Sequence, residues 1–241
     1  MKKTILTFAA LILIAAPALA DWYHGAGYDG GTMYYSRING YYAGSGGEFT
    51  LRKDGTPDWL SNAAYADVAK NQGGKEDSFQ TFCVEADEYI ASPLDIWVST
   101  ANVNGGTPGS HAWLGGKNTN GGDDLDPRTA YLYTKFATGT LAYDYTNTGV
   151  GRSVDAGALQ NAIWHIEGEG GAHNSFVDLA DTAVAYGGEW YLKGIGDVRV
   201  IQTNRGGSYG QDQLYLVPAP AAIGLGMLGL GLIGWYMRRF A

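Results

Sequence analysis

An apolar segment at each end of the chain leaves residues 21–216 as the part that must fold in water. At the N-terminus, two lysines precede an apolar run at residues 5–16. Ala18-Leu19-Ala20 then supplies the small-x-small pattern of a cleavage site, and the run is too short for a durable membrane span. The sequence therefore predicts that residues 1–20 are a secretory signal peptide.

The C-terminal segment has the length and the flanks of a transmembrane helix. Residues 219–237 contain no charged side chain, and Arg238 and Arg239 follow directly. A helix of that length spans about 28 Å, close to the ~30 Å hydrocarbon core of a bilayer. Because arginines stay on the cytoplasmic side, the preceding domain is predicted to lie across the membrane, outside the cytoplasm.

The domain between these segments is acidic and rich in glycine. It contains all 24 acidic residues but only 12 of the 16 lysines and arginines, so its net charge is −12. Such a domain repels phosphate backbones, and nucleic acid is therefore not an expected partner. The whole chain has 37 glycines and 13% aromatic residues, and this composition favours an extracellular domain with many strands and turns. Cys83 is the single cysteine, which excludes intramolecular disulfides.

The order of predicted elements indicates an α+β fold, with a β-sandwich or barrel-like sheet and inserted helices. An edge strand is expected within residues 22–47, and further strands at residues 48–52, 78–90, 94–98, 198–203 and 214–217. The strand at 94–98 is expected to pair with the one at 78–90. Helices are expected at residues 127–137, after an Asp126 cap, at 153–168, capped by Ser153 or Asp155, and at 175–186.

Two short segments could together carry chemistry. Cys83 lies on the predicted strand at residues 78–90, and Gln160 lies on the second predicted helix, at the edge of its apolar stripe. A partly buried amide without partners costs about 1–3 kcal/mol. A cysteine thiolate that attacked this amide would expel ammonia and leave an internal thioester, an electrophile that amines or hydroxyls can open.

The two segments resemble those of the thioester domains of bacterial surface adhesins. In that family a strand cysteine, in an aromatic-Cys-x-acid setting, joins the glutamine of an apolar-Gln-x-Ala-Ile-Trp helix. The matching residues of this chain are Phe82, Cys83, Glu85, Gln160, Ala162, Ile163 and Trp164. The resemblance implies a Cys83–Gln160 thioester that captures an amine or hydroxyl of a protein or polysaccharide at a cell surface or in a matrix.

The tail, residues 217–241, carries a second resemblance. Its proline-flanked start, its glycine- and leucine-rich span and its terminal arginines look like the PEP-CTERM sorting signal of Gram-negative bacteria. The residues concerned are Val217, Pro218, Pro220, Arg238 and Arg239, with Ala219 where the name-giving motif has glutamate. This resemblance implies recognition by an exosortase-like protease, removal of the tail, and delivery to the cell surface or an exopolysaccharide matrix. A plain C-terminal membrane anchor is the alternative.

Other functions compete with the thioester. Cys83 could be a buried, inert thiol, or the nucleophile of a cysteine hydrolase with His165 or His173 as base, although no local signature supports such a pair. Glycoside hydrolysis would need two carboxylates from the group Glu85, Asp87 and Glu88.

A non-covalent exopolysaccharide-binding or matrix-binding module is a further alternative. Its aromatic pairs, Trp22-Tyr23, Tyr34-Tyr35 and Tyr41-Tyr42, could stack on sugars, although such residues more often pack in sheets. The acidic loop at residues 121–126 could hold calcium with its oxygen ligands, although it lacks the ligand spacing of a known calcium loop. The sequence therefore predicts no metal, no cofactor and no enzymatic activity.

Overall fold

The structure is a computed structural model that describes residues 32–44, 46–54, 78–86, 89–90, 94–99, 118–119, 122–123, 125–146, 150–205 and 208–217. Its strands are β1 (Thr32–Ala43), β2 (Gly46–Asp54), β3 (Ser78–Thr81), β4 (Leu94–Ser99), β5 (Asn118–Thr119), β6 (Gly122–Asp123), β7 (Val198–Arg205) and β8 (Ser208–Leu216). Its helices are α1 (Pro127–Ala137), α2 (Val150–Ile166) and α3 (Ser175–Val184). The mixed α+β class is therefore confirmed.

The predicted signal peptide and the predicted transmembrane helix lie outside these described residues. Within the described ranges, no helix combines the length and the hydropathy that crossing a membrane requires. Val217, which the sequence assigned to the tail, is buried at the end of β8, and its N–H donates to the carbonyl of Asp197.

Six strands form one antiparallel sheet in the order β3-β2-β1-β4-β7-β8. The edge-strand prediction for residues 22–47 is wrong, because β1 lies inside the sheet between β2 and β4. The predicted pairing of residues 94–98 with the Cys83 strand is also wrong, since β4 pairs with β1 and β7. Both errors concern pairing between distant segments, which strand periodicity does not encode.

The chain after β3 changes its pairing partner. The expected strand at residues 78–90 ends at Thr81, where pairing with β2 stops. Cys83 then forms an isolated bridge with Gln213 of β8, supported by bonds from Val84 N–H to Asp212 and from Leu214 N–H to Phe82. The segment at residues 82–85 thus continues from β3, at one edge of the sheet, and contacts β8, at the other edge. All four of its residues are buried.

Capping residues explain where α1 and α3 begin. Asp126 accepts the Arg128 N–H at 2.7 Å and precedes proline at the first helical position, as the sequence predicts. Gly139, with φ of 70°, follows the end of α1. Asn174 caps α3 by accepting the Phe176 N–H at 2.9 Å.

Helix α2 starts earlier than expected. It begins at Val150, whereas the predicted cap Asp155 lies inside it and accepts the N–H of Asp144 at 2.6 Å. The other predicted cap, Ser153, also lies within the helix, and its hydroxyl bonds the carbonyl of Val150. The predicted apolar stripe is confirmed by its fully buried members, Leu159, Ala162, Ile163 and Ile166.

Candidate functional site

Cys83 and Gln160 are in direct contact although 77 residues separate them in sequence. The bridge to β8 positions Cys83, and the buried face of α2 positions Gln160. The Cys83 thiol lies 3.2 Å from the Gln160 side-chain oxygen, Oε1, and neither residue has any exposed surface. The structure therefore places the two residues that the motifs singled out side by side, and Gln160 is more deeply buried than expected.

Backbone groups hold the Gln160 amide at both of its polar atoms. Its Oε1 accepts the N–H of Gly47 at 2.9 Å and the N–H of Cys83 at 3.3 Å. Its Nε2 donates to the carbonyl of Cys83 at 2.8 Å, which fixes the orientation of the amide. Two convergent N–H donors on one carbonyl oxygen are the arrangement of an oxyanion hole, which stabilises the negative charge that develops when the carbonyl carbon is attacked.

A glycine allows the close approach of the strand to this pair. A Cβ on Gly46 would lie 2.7 Å from the Cys83 sulfur and would also collide with the ring of Trp164. Phe49, Cys83 and Trp164 form a small apolar cluster here, apart from the main core. Gly46 is thus the residue against which the indole and the sulfur both pack.

The electrostatic surroundings keep the Cys83 sulfur protonated. Burial raises the pKa of the Cys83 thiol well above its ordinary value, and the charge of Glu85 raises it further. The N–H groups of Gly47 and Cys83 and the indole of Trp164 lower this pKa by smaller amounts. A buried thiol with a raised pKa reacts poorly with reagents from solvent, and the polar side chain that it contacts among the described residues is the Gln160 amide.

A buried ion pair fastens β2 to α2 beside the site. The guanidinium of Arg152 contacts both carboxylate oxygens of Glu48, with Nε at 3.0 Å from Oε2, and neither side chain is exposed. The hydroxyl of Tyr143 donates to the same carboxylate at 2.6 Å, and the ring of Tyr41 lies 5.4 Å from the guanidinium carbon. The pair fixes the strand next to Gly47, whose N–H contacts Gln160.

The supporting motif residues occupy structural positions around the pair. Phe82 packs edge-on against Phe136 of α1, with ring centroids 5.0 Å apart, and Ala162 and Ile163 are fully buried in the main core. Glu85 accepts the N–H of Asp212 at 2.8 Å, which joins the Cys83 segment to β8. Phe82, Glu85, Ala162 and Ile163 thus hold in place the two segments that carry Cys83 and Gln160.

The residues of the competing functions lie in other surroundings. Nδ1 of His165 is 3.1 Å from the carbonyl of Gly171, and its ring packs edge-on against His173. His173 in turn lies 3.5 Å from Asp178. The thiol of Cys83, by contrast, contacts an amide, which cannot serve as a general base.

The aromatic pairs expected to bind sugars are partly inside the protein. Tyr41 is buried and contacts Arg152, and Tyr35 packs edge-on against Phe49. Trp22, Tyr23, Asp87 and Glu88 lie outside the described residues. Within the described part of the chain, no cluster of three or more potential metal ligands occurs.

Sequence reasoning missed the Gly46-Gly47-Glu48 segment and Arg152. The glycine pair at residues 46–47, which opens β2, is a sequence signal for close backbone approach. The donors themselves are backbone groups, which no side-chain pattern identifies. The ion pair joins residues 104 positions apart, and neither residue has a local signature.

Comparison with known proteins gave no match: no protein-family model, no curated protein and no solved structure is significantly similar to this chain.

Proposed function

We propose that the domain forms an internal thioester between Cys83 and Gln160 and uses it to capture an amine or hydroxyl of a surface or matrix partner covalently. The observation that carries the proposal is the contact between the buried thiol and the buried amide, 3.2 Å from sulfur to oxygen. A reaction between groups already held in contact avoids the entropy cost of bringing them together, which favours even a poor electrophile such as an amide.

The chemistry balances without a cofactor. The sulfur of Cys83 attacks the amide carbon of Gln160, the C–N bond breaks, and the thiol proton leaves with the amide nitrogen as ammonia. The N–H groups of Gly47 and Cys83 stabilise the oxyanion of the intermediate. An incoming amine later attacks the same carbon, forms an amide, and leaves Cys83 as a thiol.

Burial suits a reactive group that must survive until its target arrives. Cys83 and Gln160 have no exposed surface, so water has limited access to the bond between them. The protein acts once and is consumed, and it is therefore a covalent adhesin-like module rather than an enzyme. The bridge between the Cys83 segment and β8 supports a barrel-like closure of the sheet around this site.

The proposed location follows from the two ends of the chain. Residues 1–20 direct export, and residues 218–241, which follow the buried Val217, hold the protein in the inner membrane until an exosortase-like protease removes the tail. The mature protein then resides at the cell surface or in an exopolysaccharide matrix of a Gram-negative bacterium. The sequence resemblance to the PEP-CTERM signal supports this part of the proposal.

Treatment of the purified protein with methylamine tests the capture function. One methylamine should be incorporated at Gln160, and one thiol should appear at Cys83 at the same rate. Cys83→Ala protein is the matched control and should incorporate none. Appearance of neither the adduct nor the thiol in the wild-type protein would remove the proposal.

A non-covalent matrix-binding module is the second candidate, and a surface feature favours it. Tyr186 is 89% exposed and lies edge-on to Tyr191, with ring centroids 5.2 Å apart. Exposed aromatic rings can stack on sugars. If this candidate is correct, Cys83→Ala protein should retain full binding to exopolysaccharide, whereas Tyr186→Ala protein should lose it.

A further inference from the structure

Trp164 lies one helical turn beyond Gln160, on the same buried face of α2. Its side chain is 7% exposed and belongs to one apolar cluster with Cys83 and Phe49. The indole and the Cys83 sulfur both pack at the position that a Gly46 side chain would occupy. The ring of Trp164 is therefore next to the sulfur that forms the proposed bond.

The indole N–H of Trp164 is buried without a hydrogen-bond acceptor among the described residues. Buried donors without acceptors are uncommon in native proteins, so this one needs a reason. The indole also favours the ionised form of Cys83, since it lowers the pKa of the thiol. A neutral thiol or thioester sulfur is a weak acceptor, whereas a thiolate is a strong one.

We propose that the indole N–H of Trp164 is the hydrogen-bond donor that stabilises negative charge on the Cys83 sulfur, both when the thioester forms and when a nucleophile opens it. This inference rests on the proposed thioester function and assigns a catalytic role to Trp164. An interaction that strengthens only as charge develops lowers the barrier without stabilising the resting state.

The two steps place charge on the sulfur at different stages. In formation, the Cys83 thiol gives up its proton as its sulfur attacks the Gln160 amide carbon, so negative charge develops on the sulfur, and that proton leaves with the amide nitrogen as ammonia. In opening, an amine attacks the thioester carbon, the C–S bond breaks, and the electron pair stays on sulfur. That sulfur then takes the proton released by the attacking amine. The indole N–H of Trp164 thus stabilises charge on the sulfur in both formation and opening, while the N–H groups of Gly47 and Cys83 donate to the carbonyl oxygen.

The test replaces the indole N–H by sulfur while keeping the shape of the ring. 3-Benzothienylalanine is incorporated at position 164 of the full-length chain, and the processed protein is purified. Hydrogen bonds to charged groups have a strength that corresponds to a roughly ten- to hundredfold effect on rate. Ammonia loss and methylamine opening should therefore both slow by roughly ten- to hundredfold.

The same replacement at Trp190 is the matched control, because its N–H donates to the carbonyl of Gly194 at 2.7 Å and its ring packs against Tyr131, outside the cluster that contains Cys83. The control should leave both rates unchanged. Wild-type rates in the Trp164 analogue would overturn the inference, provided that its thermal unfolding matches that of the wild-type protein.

A second measurement is independent of thioester formation. Gln160→Ala protein cannot form the bond, and its single cysteine can be followed by NMR after ¹³Cβ labelling. Replacing the Trp164 indole in this background should raise the pKa of Cys83, because the thiolate loses a hydrogen-bond donor. An unchanged pKa would overturn the inference, whereas wild-type protein that retains its ammonia would overturn the proposed function instead.

Discussion

Glu48 and Arg152 form an ion pair in which neither side chain has any exposed surface, and it connects the strand beside Gly47 to the helix that carries Gln160. The Glu48 carboxylate also accepts a hydrogen bond from the Tyr143 hydroxyl at 2.6 Å, in addition to those from Arg152. A buried pair is expensive to break, because the remaining charge has no partner and no water. The pair therefore helps to hold together the strand that carries the Gly47 N–H and the helix that carries the Gln160 amide.

Arg152→Met should destabilise the domain by about 3–5 kcal/mol, because it leaves Glu48 buried and unpaired. The double variant Glu48→Leu/Arg152→Met should be markedly more stable than the single one, since no charge remains. Urea unfolding measures the free energy of unfolding of the single and the double variant. Lys135→Ala breaks an exposed pair with Glu189 and should cost at most about 1 kcal/mol. A loss of that same small size for Arg152→Met would contradict the role given to the pair.

Gly46→Ala should disrupt the site directly. The added methyl group would lie 2.7 Å from the Cys83 sulfur and against the Trp164 ring, so β2 must move away from α2. We expect a loss of about 1–3 kcal/mol in unfolding free energy and a large fall in thioester content. Gly44→Asn is the control, because its position is open and asparagine tolerates its φ of 54°. Full thioester content in the Gly46→Ala protein would show that the close packing is dispensable.

The helix starts could largely be predicted because their signals are local. Asp126 and Pro127 stand next to each other in sequence and cap α1 as expected. The start of α2 was misplaced, because Asp155 is used as an acceptor for Asp144 from inside the helix. The strand pairing of the sheet was harder to predict. The pattern at residues 78–90 is that of one continuous strand, whereas pairing with β2 ends at Thr81 and Cys83 pairs with β8 instead.

Only the part of the candidate site that consists of distinctive side chains could be predicted from the sequence. Cys83 and Gln160 were found because their residue types and flanking motifs are distinctive. The two N–H groups that contact the Gln160 side-chain oxygen belong to the backbone of Gly47 and Cys83, and their position depends on how β2, α2 and the bridge segment pack. Packing between segments that are far apart in sequence is a tertiary property, which local patterns do not contain.

Glu167 should make the stability of the domain depend on pH. Burial raises its pKa to about 8, and the nearby charge of Asp126 adds to the effect. The folded state thus holds a proton that the unfolded state releases, and stability should fall as the pH rises from the ordinary glutamate range towards 8. Unfolding free energies measured across this range should fall less in Glu167→Gln than in wild type. Parallel curves for the two proteins would show that Glu167 titrates normally.

The arginines at the C-terminus should be needed for correct sorting. Arg238→Gln/Arg239→Gln removes the positive charge that, in the proposed topology, keeps the end of the tail on the cytoplasmic side. Cells of the native host should then accumulate unprocessed or misrouted precursor, whereas Arg199→Gln, a change within the domain, should leave processing unchanged. Immunoblotting of cell-envelope and matrix fractions measures this. Wild-type protein that keeps its C-terminus in the inner membrane would favour a plain anchor.

The intact mass of the purified wild-type protein tests the thioester most directly. Cys83 and Gln160 touch in the folded domain, and the bond should form spontaneously. The measured mass should be lower than the mass calculated from the processed sequence by one ammonia, and Cys83→Ala should restore the calculated value. A wild-type mass equal to the calculated one, with Cys83 alkylated stoichiometrically after unfolding, would contradict the central claim.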